Sequence, residues 1–409
     1  MDLRSGHAFW LIRNGILNAF PAPDKDLRCD VVVVGGGISG ALVGYHLAEA
    51  GISAVVLDRR DIGWGSTSAS TALLQYEIDT PLVELKERFG KETGERCYQS
   101  CRDAIYKLQD LAQKLDDHCG FSLKPSLFIA KRARDVAFMK REFKARTDAG
   151  FTVEWWNGAD VKRHMGFTRP CGIYSQDGAQ VDAYRLTHRL LEKAQTLGLR
   201  IFDRTEVLDY RVTGSRVKVK TDRGVTINAK HIVFATGYEF EQLSDRNLVK
   251  LHSTFAMVSE PLGAGKHLWH DNCLIWEHAE PYLYIRTTDD HRILVGGEDE
   301  DFRDPEKRDG MIAKKSATLQ RKFRHLFPGI KLEPAFCWAG TFGSTEDGLA
   351  YIGEIPEFPR ALFALGFGGN GITYSVLAAE IIRDQILGKS NPYSDLYRFD
   401  RHGGNARSG

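Results

Sequence analysis

The hydrophobic pattern changes period between Val31 and Asp58, and the rest of the chain is organised around that change. Val31 to Val34 are four β-branched residues in a row, the composition of a strand buried on both faces. Ile38, Ala41, Leu42, Tyr45 and Ala48 then recur at helical spacing, and Gly51 supplies a stop. Ala54 to Leu57 is a second apolar run, closed by Asp58. Helical spacing returns over residues 81–118, carried by Leu82, Leu85, Phe89, Ala104, Leu108 and Leu111. Residues 126–130 read as a strand, 135–149 as a helix ended by Gly150, and 151–156 as a short strand whose Trp155 and Trp156 serve packing. A helix over 181–197 and a strand over 199–202 follow. Residues 206–211, 216–221 and 225–228 form a small antiparallel set with turns at Gly214 and Gly224. The apolar run 231–237 is a strand that ends in Ala235, Thr236 and Gly237. Four strand-like runs without intervening helices, 254–259, 273–277, 282–287 and 292–296, predict an antiparallel sheet in a second domain. An amphipathic helix over 309–327, a strand over 362–365 and a strongly apolar helix over 372–387 complete the chain.

The turn after Val34 reads G-x-G-x-x-G through Gly35, Gly37 and Gly40. The first glycine permits the tight turn, the second lets a pyrophosphate approach the backbone, and the third lets the helix pack close on the sheet. The helix N-terminus offers free N–H groups and partial positive charge to phosphates. Asp58 stands where a carboxylate binds a ribose hydroxyl, which disfavours NADP and leaves FAD and NAD. Residues 63–71 are rich in glycine and hydroxyls, so Ser66, Thr67 and Ser68 are expected to reach the phosphates, with Gln75, Tyr76 and Glu77 near the reacting ring. A second glycine-rich turn, Gly366, Gly368, Gly369 and Gly371, opens the last helix, whose N-terminal partial charge suits the pyrimidine edge of a reduced flavin. On the run 282–287, Tyr282, Tyr284 and Arg286 share one face by the period of two, either roofing a pocket or meeting solvent.

Charge excludes one class of function. Across 409 residues, 55 basic and 54 acidic side chains leave a net charge of +1 with no long run of one sign, so nucleic-acid binding has no electrostatic support. No apolar run approaches the ~18 residues of a membrane span, and Arg13 and Asn14 interrupt the leader where a signal peptide's apolar core would lie. The expectation is a cytoplasmic protein without a transmembrane segment. The seven cysteines contain no C-x-x-C pair, so reduced, mostly buried thiols and no metal site are expected.

The motifs DVVVVGGGISG, VVLDRRDIGWGS, HIVFATG, WAGTFGSTEDGLAYIG and GFGGNGITYSVLAAEII, with the YLYIRTT and ILVGG pair, carry a resemblance over residues 29–401. The chain resembles the FAD-dependent D-amino-acid-oxidase-like (DAO) superfamily, the group of glycine oxidase, sarcosine oxidase and γ-glutamylputrescine oxidoreductase. The resemblance implies an α/β fold: a Rossmann-like FAD-binding domain with a parallel sheet (residues 1–80, 158–250 and 335–409), interleaved with an α+β substrate domain built on an antiparallel sheet (81–157 and 251–334). It implies FAD contacts at Gly35, Gly37, Ile38, Ser39, Gly40, Asp58, Arg59, Gly65, Ser66, Thr67, Ser68, Val207, Ala235, Thr236, Gly237, Gly340, Gly366, Gly369, Asn370, Gly371, Ile372 and Thr373. It implies a small amine or amino-acid substrate whose C–N bond is oxidised by hydride transfer to flavin N5, giving an imine that hydrolyses. Oxygen, a quinone or a protein then accepts the electrons. Glu298, Tyr284, Arg286, Gln75 and Thr373 are the expected catalytic residues. The chain departs from the family where it matters for substrate. Phe342 stands in place of the arginine that clamps a carboxylate, Gln75 and Thr373 replace an arginine and an oxygen-activating lysine of sarcosine oxidases, and Glu298 replaces a histidine. Cys337 lies near the region where sarcosine oxidases attach flavin covalently. Two other readings are an FAD-dependent hydroxy-acid dehydrogenase and a flavin-binding assembly protein without turnover.

Overall fold

The structure is a computed structural model that describes residues 2–242, 248–263 and 268–401. A six-stranded sheet runs in the order Tyr351–Glu354, Ala361–Leu365, His231–Phe234, Val31–Val34, Ala54–Leu57 and Arg200–Phe202. All neighbours are parallel except Tyr351–Glu354 against Ala361–Leu365. The valine run explains why this sheet is the centre. Val31, Val33 and Val56 pack on one face against the helices Ile38–Glu49, Ala183–Thr196 and Gly371–Ile386. Val32, Val55 and Leu57 pack on the other face against Val217, Val219 and Ile227. Those three residues belong to a four-stranded sheet of Val207–Thr213, Arg216–Thr221, Thr226–Ala229 and Leu27–Arg28. A strand with apolar side chains on both faces can only be stable between two layers.

A ten-stranded sheet lies beside it. Its path is Arg4–Gly6, Pro334–Ser344, Lys250–Ser259, Ile293–Glu300, Leu283–Thr287, Leu274–His278, Ser122–Ala130, Cys171–Gln180 and Leu73–Leu74, with Val153–Asn157 paired to Cys171–Gln180. The four strand-like runs expected as an antiparallel sheet are its middle, and Leu274–His278 also pairs parallel to Ser122–Ala130. Leu319, Phe323 and Leu326 of the helix Pro305–Leu326 fill one face of this sheet with Phe255, Met257 and Val295. Sheet membership cuts across the expected domain boundaries. Arg4–Gly6, Leu73–Leu74, Cys171–Gln180 and nearly all of Pro334–Ser344 join the large sheet, although they fall in the residues 1–80, 158–250 and 335–409 expected to form the nucleotide part. These strands are short or mixed in polarity, so no period marked them.

The helical pattern over 81–118 resolves into two helices, Leu82–Phe89 and Lys91–Gln113. Gly90 separates them at φ 86°, a left-handed conformation that glycine adopts without a steric cost. The N-terminal segment crosses the large sheet as Arg4–Gly6 and the helix Phe9–Asn14, burying Phe9 and Trp10. It holds the segment that leaves the second nucleotide strand, Trp10 Nε1 donating to the Ser70 carbonyl at 2.6 Å, and Trp338 Nε1 of the strand Pro334–Ser344 adds a bond to the Ala69 carbonyl at 2.8 Å.

Candidate active site

The first glycine turn sits where three parallel strands end. Gly35 has φ 108°, and a Cβ there would strike the Ala235 carbonyl of the neighbouring strand. A Cβ on Gly40 would run into the Gly35 carbonyl, so Gly40 is the contact between helix and turn rather than part of any cavity wall. Gly37 is different. A Cβ there would meet only Thr67 Oγ1, at 2.9 Å, and its backbone otherwise faces open space. Asp58 braces this turn: Oδ2 accepts the Gly36 N–H at 2.6 Å and Oδ1 the Arg60 N–H at 2.7 Å. Burial raises its carboxyl to about 6 against those two hydrogen bonds. Arg59 and Arg60 both pair with Glu239, Arg60 at 2.7 Å.

A cavity of about 1470 Å³ runs from this turn between the two large sheets. That exceeds the roughly 300–1,000 Å³ of a pocket for one small ligand. Its wall takes Gly35, Gly37, Ile38 and Ser39 from the first turn, then Asp58, Arg59, Gly65, Ser66 and Thr67. Val207, Ala235, Thr236 and Gly237 line it from the strands beside, and Gly340, Gly366, Gly369, Asn370, Gly371 and Ile372 from the far side. The buried hydroxyls of Ser66 and Thr236 have no protein partner, which leaves them for a polar ligand. Two expected contacts lie off the wall besides Gly40. Ser68 turns inward and donates to the Gly65 carbonyl at 2.9 Å, closing the short helix Ser66–Ala69. Thr373 is buried in the helix Gly371–Ile386 and does not line the cavity, because Ile372 takes the outward position.

Of the expected catalytic residues, Gln75 and Tyr284 line the cavity. Among the described residues the Gln75 side-chain nitrogen Nε2 has no partner, while the Gln75 backbone carbonyl accepts from Asn370 Nδ2 at 3.0 Å. Tyr284 lies opposite Gly296, whose missing side chain leaves room for the ring. Arg286 shares the face of Tyr284, as its spacing predicts, but the N-terminal helix covers it. Its guanidinium donates to the carbonyls of Ala72 at 2.6 Å and Val181 at 3.2 Å and lies over the Trp10 ring. Burial lowers it to about 10, and it does not reach the cavity. Glu298 is also off the wall. Its carboxylate pairs with Lys322 and Lys315 of the helix Pro305–Leu326 on the opposite face of the sheet. The cause is a bulge: Gly297 at φ 125° and Glu298 at φ 61° interrupt the alternation, and the pairing with Lys250–Ser259 slips between Ser253 and Phe255. Asp299 therefore faces the cavity in its place.

Sequence reasoning missed Asp299, Asp79, His252 and Thr254 as wall residues. Asp79 Oδ2 accepts the Gly369 N–H at 2.9 Å, and burial raises its carboxyl. Burial likewise raises Asp299 to about 6, opposed by the Thr254 hydroxyl and reinforced by the nearby Asp79 charge. His252 is committed through both ring nitrogens, to Asp301 at 2.9 Å and Ser344 at 2.7 Å, and stacks on Phe342. The acidic run from Glu298 to Asp301 gave no sign of which carboxylate faces inward.

Residues 30–385 match the profile of the FAD dependent oxidoreductase family, DAO. The chain belongs to this family. Within it, the chain is 27% identical to glycine oxidase of Bacillus licheniformis over 382 residues, covering 88% of this chain and 94% of that protein. It is 23% identical to γ-glutamylputrescine oxidoreductase of Escherichia coli (strain K12), over 93% of this chain and 87% of that one. The solved glycine oxidase of Geobacillus kaustophilus superposes with a TM-score of 0.74 at 24% identity, covering 90% of this chain and 96% of that chain. The DAO fold accounts for the parallel and antiparallel sheets seen here, and the cofactor of a DAO protein is FAD. The glycine turns, the unpartnered hydroxyls and the volume of the cavity fit FAD.

Proposed function

We propose that this DAO-family oxidoreductase oxidises the C–N bond of a small amine or amino acid to an imine, which water hydrolyses. The carrying observation is a cavity of about 1470 Å³, roomier than a pocket for one small ligand, whose wall includes the glycine turn together with Gln75, Tyr284, Asp79 and Asp299. The relatives named glycine oxidase and γ-glutamylputrescine oxidoreductase support a nitrogen-bearing substrate.

FAD supplies the hydride acceptor. The helix N-terminus at Gly37 and Ile38, with Ser66 and Thr236, would hold its pyrophosphate, and Asp58 its ribose end. Gly371 and Ile372 bring a second helix N-terminus to the wall, directing partial positive charge into the cavity. Asn370 donates to the carbonyls of Gln75 and Glu77, at 3.0 and 2.9 Å, and so ties that second turn to the segment bearing Gln75. Fixing the donor's approach is the protein's main contribution to a hydride transfer. Oxygen, a quinone or a protein acceptor collects the electrons.

Anaerobic incubation of the purified holoenzyme with amines, amino acids and hydroxy acids tests this reading. Bleaching of the flavin band by a nitrogen-bearing donor is expected. Bleaching by hydroxy acids alone would overturn it.

A further inference from the structure

The reaction end of the cavity is built for a cation. Resting on the amine or amino-acid reading above, we infer that the substrate is an amine held as its ammonium ion by Asp79 and Asp299, with no carboxylate on the carbon that is oxidised.

Among the described residues Asp299 Oδ1 is buried with no hydrogen-bond partner, while the Thr254 and Tyr282 hydroxyls face the carboxylate. A buried carboxylate oxygen without a donor is costly, and an ammonium group supplies three donors in a compact volume. Asp79 opens onto the same space, with Oδ2 held by the Gly369 N–H. The Asp79 charge penalises ionisation of Asp299, so a cation placed between them favours the charged carboxylate. The Tyr282 and Tyr284 rings, with centroids 5.7 Å apart, add aromatic surface to the same wall, a further attraction for a cation.

Beside Asp299, among the described residues, a carboxylate finds no such partner. Phe342 occupies the wall where the family resemblance places an arginine, and a phenyl ring cannot replace a bidentate guanidinium. The cavity wall also carries Lys131, Arg132 and Arg134, with Lys131 4.0 Å from Glu277, but the cations around Asp299 and Phe342 are engaged elsewhere. Lys250 pairs with Asp301 at 2.6 Å, His252 is held at both nitrogens, and Lys315 pairs with Glu300 at 2.6 Å. The ammonium must lose a proton before its α-hydrogen leaves as hydride. Asp299 accepts that proton: the N–H bond breaks, an O–H bond forms on the carboxylate, and the amine is left neutral with its lone pair free, and bound FAD would supply the two-electron acceptor.

The test uses tert-butylamine, which has no α-hydrogen and cannot be oxidised, with acetate as the anionic probe. Each is titrated into FAD-loaded enzyme and followed by the shift of the flavin absorbance band. tert-Butylammonium should bind and acetate should not. Asp299→Asn, with its FAD content intact, should weaken the cation roughly tenfold to a hundredfold, the range of a hydrogen bond to a charged group. Phe342→Arg should gain acetate binding. Acetate binding to the wild type, or cation affinity that is absent or indifferent to both Asp79→Asn and Asp299→Asn, would overturn the inference. Reduction by α-amino acids without cation binding would leave amine or amino-acid oxidation standing and remove this inference alone. Aspartate-dependent cation binding with no donor able to bleach the flavin would do the reverse.

Discussion

Glu298 and Asp299 differ by one position and face opposite sides of a sheet. Glu298 meets Lys315 and Lys322, and Asp299 meets the cavity. Glu298→Gln should therefore leave the flavin spectrum and cation affinity unchanged while lowering stability by roughly 1–3 kcal/mol, because the carboxylate is buried and its lysine partners would lose it. Thermal denaturation and the tert-butylamine titration measure the two effects. Asp299 gives a pH signature. It faces Thr254, Asp79, Tyr282 and Tyr284 in the cavity, with Lys315 on the far side. Its carboxyl is raised to about 6, so the charged form is lost as pH falls through that value. Cation affinity should weaken below pH 6 in the wild type and lose this step in Asp299→Asn. The G-x-G-x-x-G residues were readable because each glycine has a distinct steric duty. Asp299 was not, because a bulge of one residue reverses the side that alternation assigns.

The element that places Gln75 and Asp79 is the segment between Leu73–Leu74 and the helix Leu82–Phe89. A buried ionic group lies beneath it. Arg146 pairs with Glu77 at 3.1 Å and with Glu142 at 2.8 Å, and Glu142 accepts the N–H groups of Leu82 and Val83 at 3.1 and 3.0 Å. All three side chains are fully enclosed, and the guanidinium also lies over Tyr76, Tyr98 and Phe128. Removing one partner strands the others. Arg146→Met should cost roughly 3–5 kcal/mol by leaving buried carboxylates uncompensated, read as a lowered denaturation midpoint. At this scale the sequence was legible wherever apolar period was strong, as in the helices Ala183–Thr196 and Gly371–Ile386. It was silent on Arg146, which reads as an ordinary exposed helical arginine. It misplaced Arg286, because the cover from the helix Phe9–Asn14 is a contact between distant parts of the chain.

At the scale of the molecule, two sheets meet along one cavity, and the cofactor has to bridge them. Cys337 precedes the wall residue Trp338 on Pro334–Ser344 but packs with the apolar layer that includes Met311 and Ile312 of the helix Pro305–Leu326. FAD should therefore be held without a covalent bond, and acid precipitation should release yellow flavin into the supernatant. Gly37→Val should yield protein lacking FAD, since its methyl groups would enter the space the pyrophosphate needs. Absorbance near the flavin band relative to protein absorbance reads this directly. The most direct measurement is a single anaerobic turnover of the holoenzyme with a reactive amine and its α-deuterated form, following the flavin band and the carbonyl product together. Oxidation of the C–N bond predicts slower bleaching with the deuterated donor and one carbonyl product released for each flavin reduced. A flavin band left unchanged by every amine and amino acid, or bleached without any carbonyl product, would contradict it.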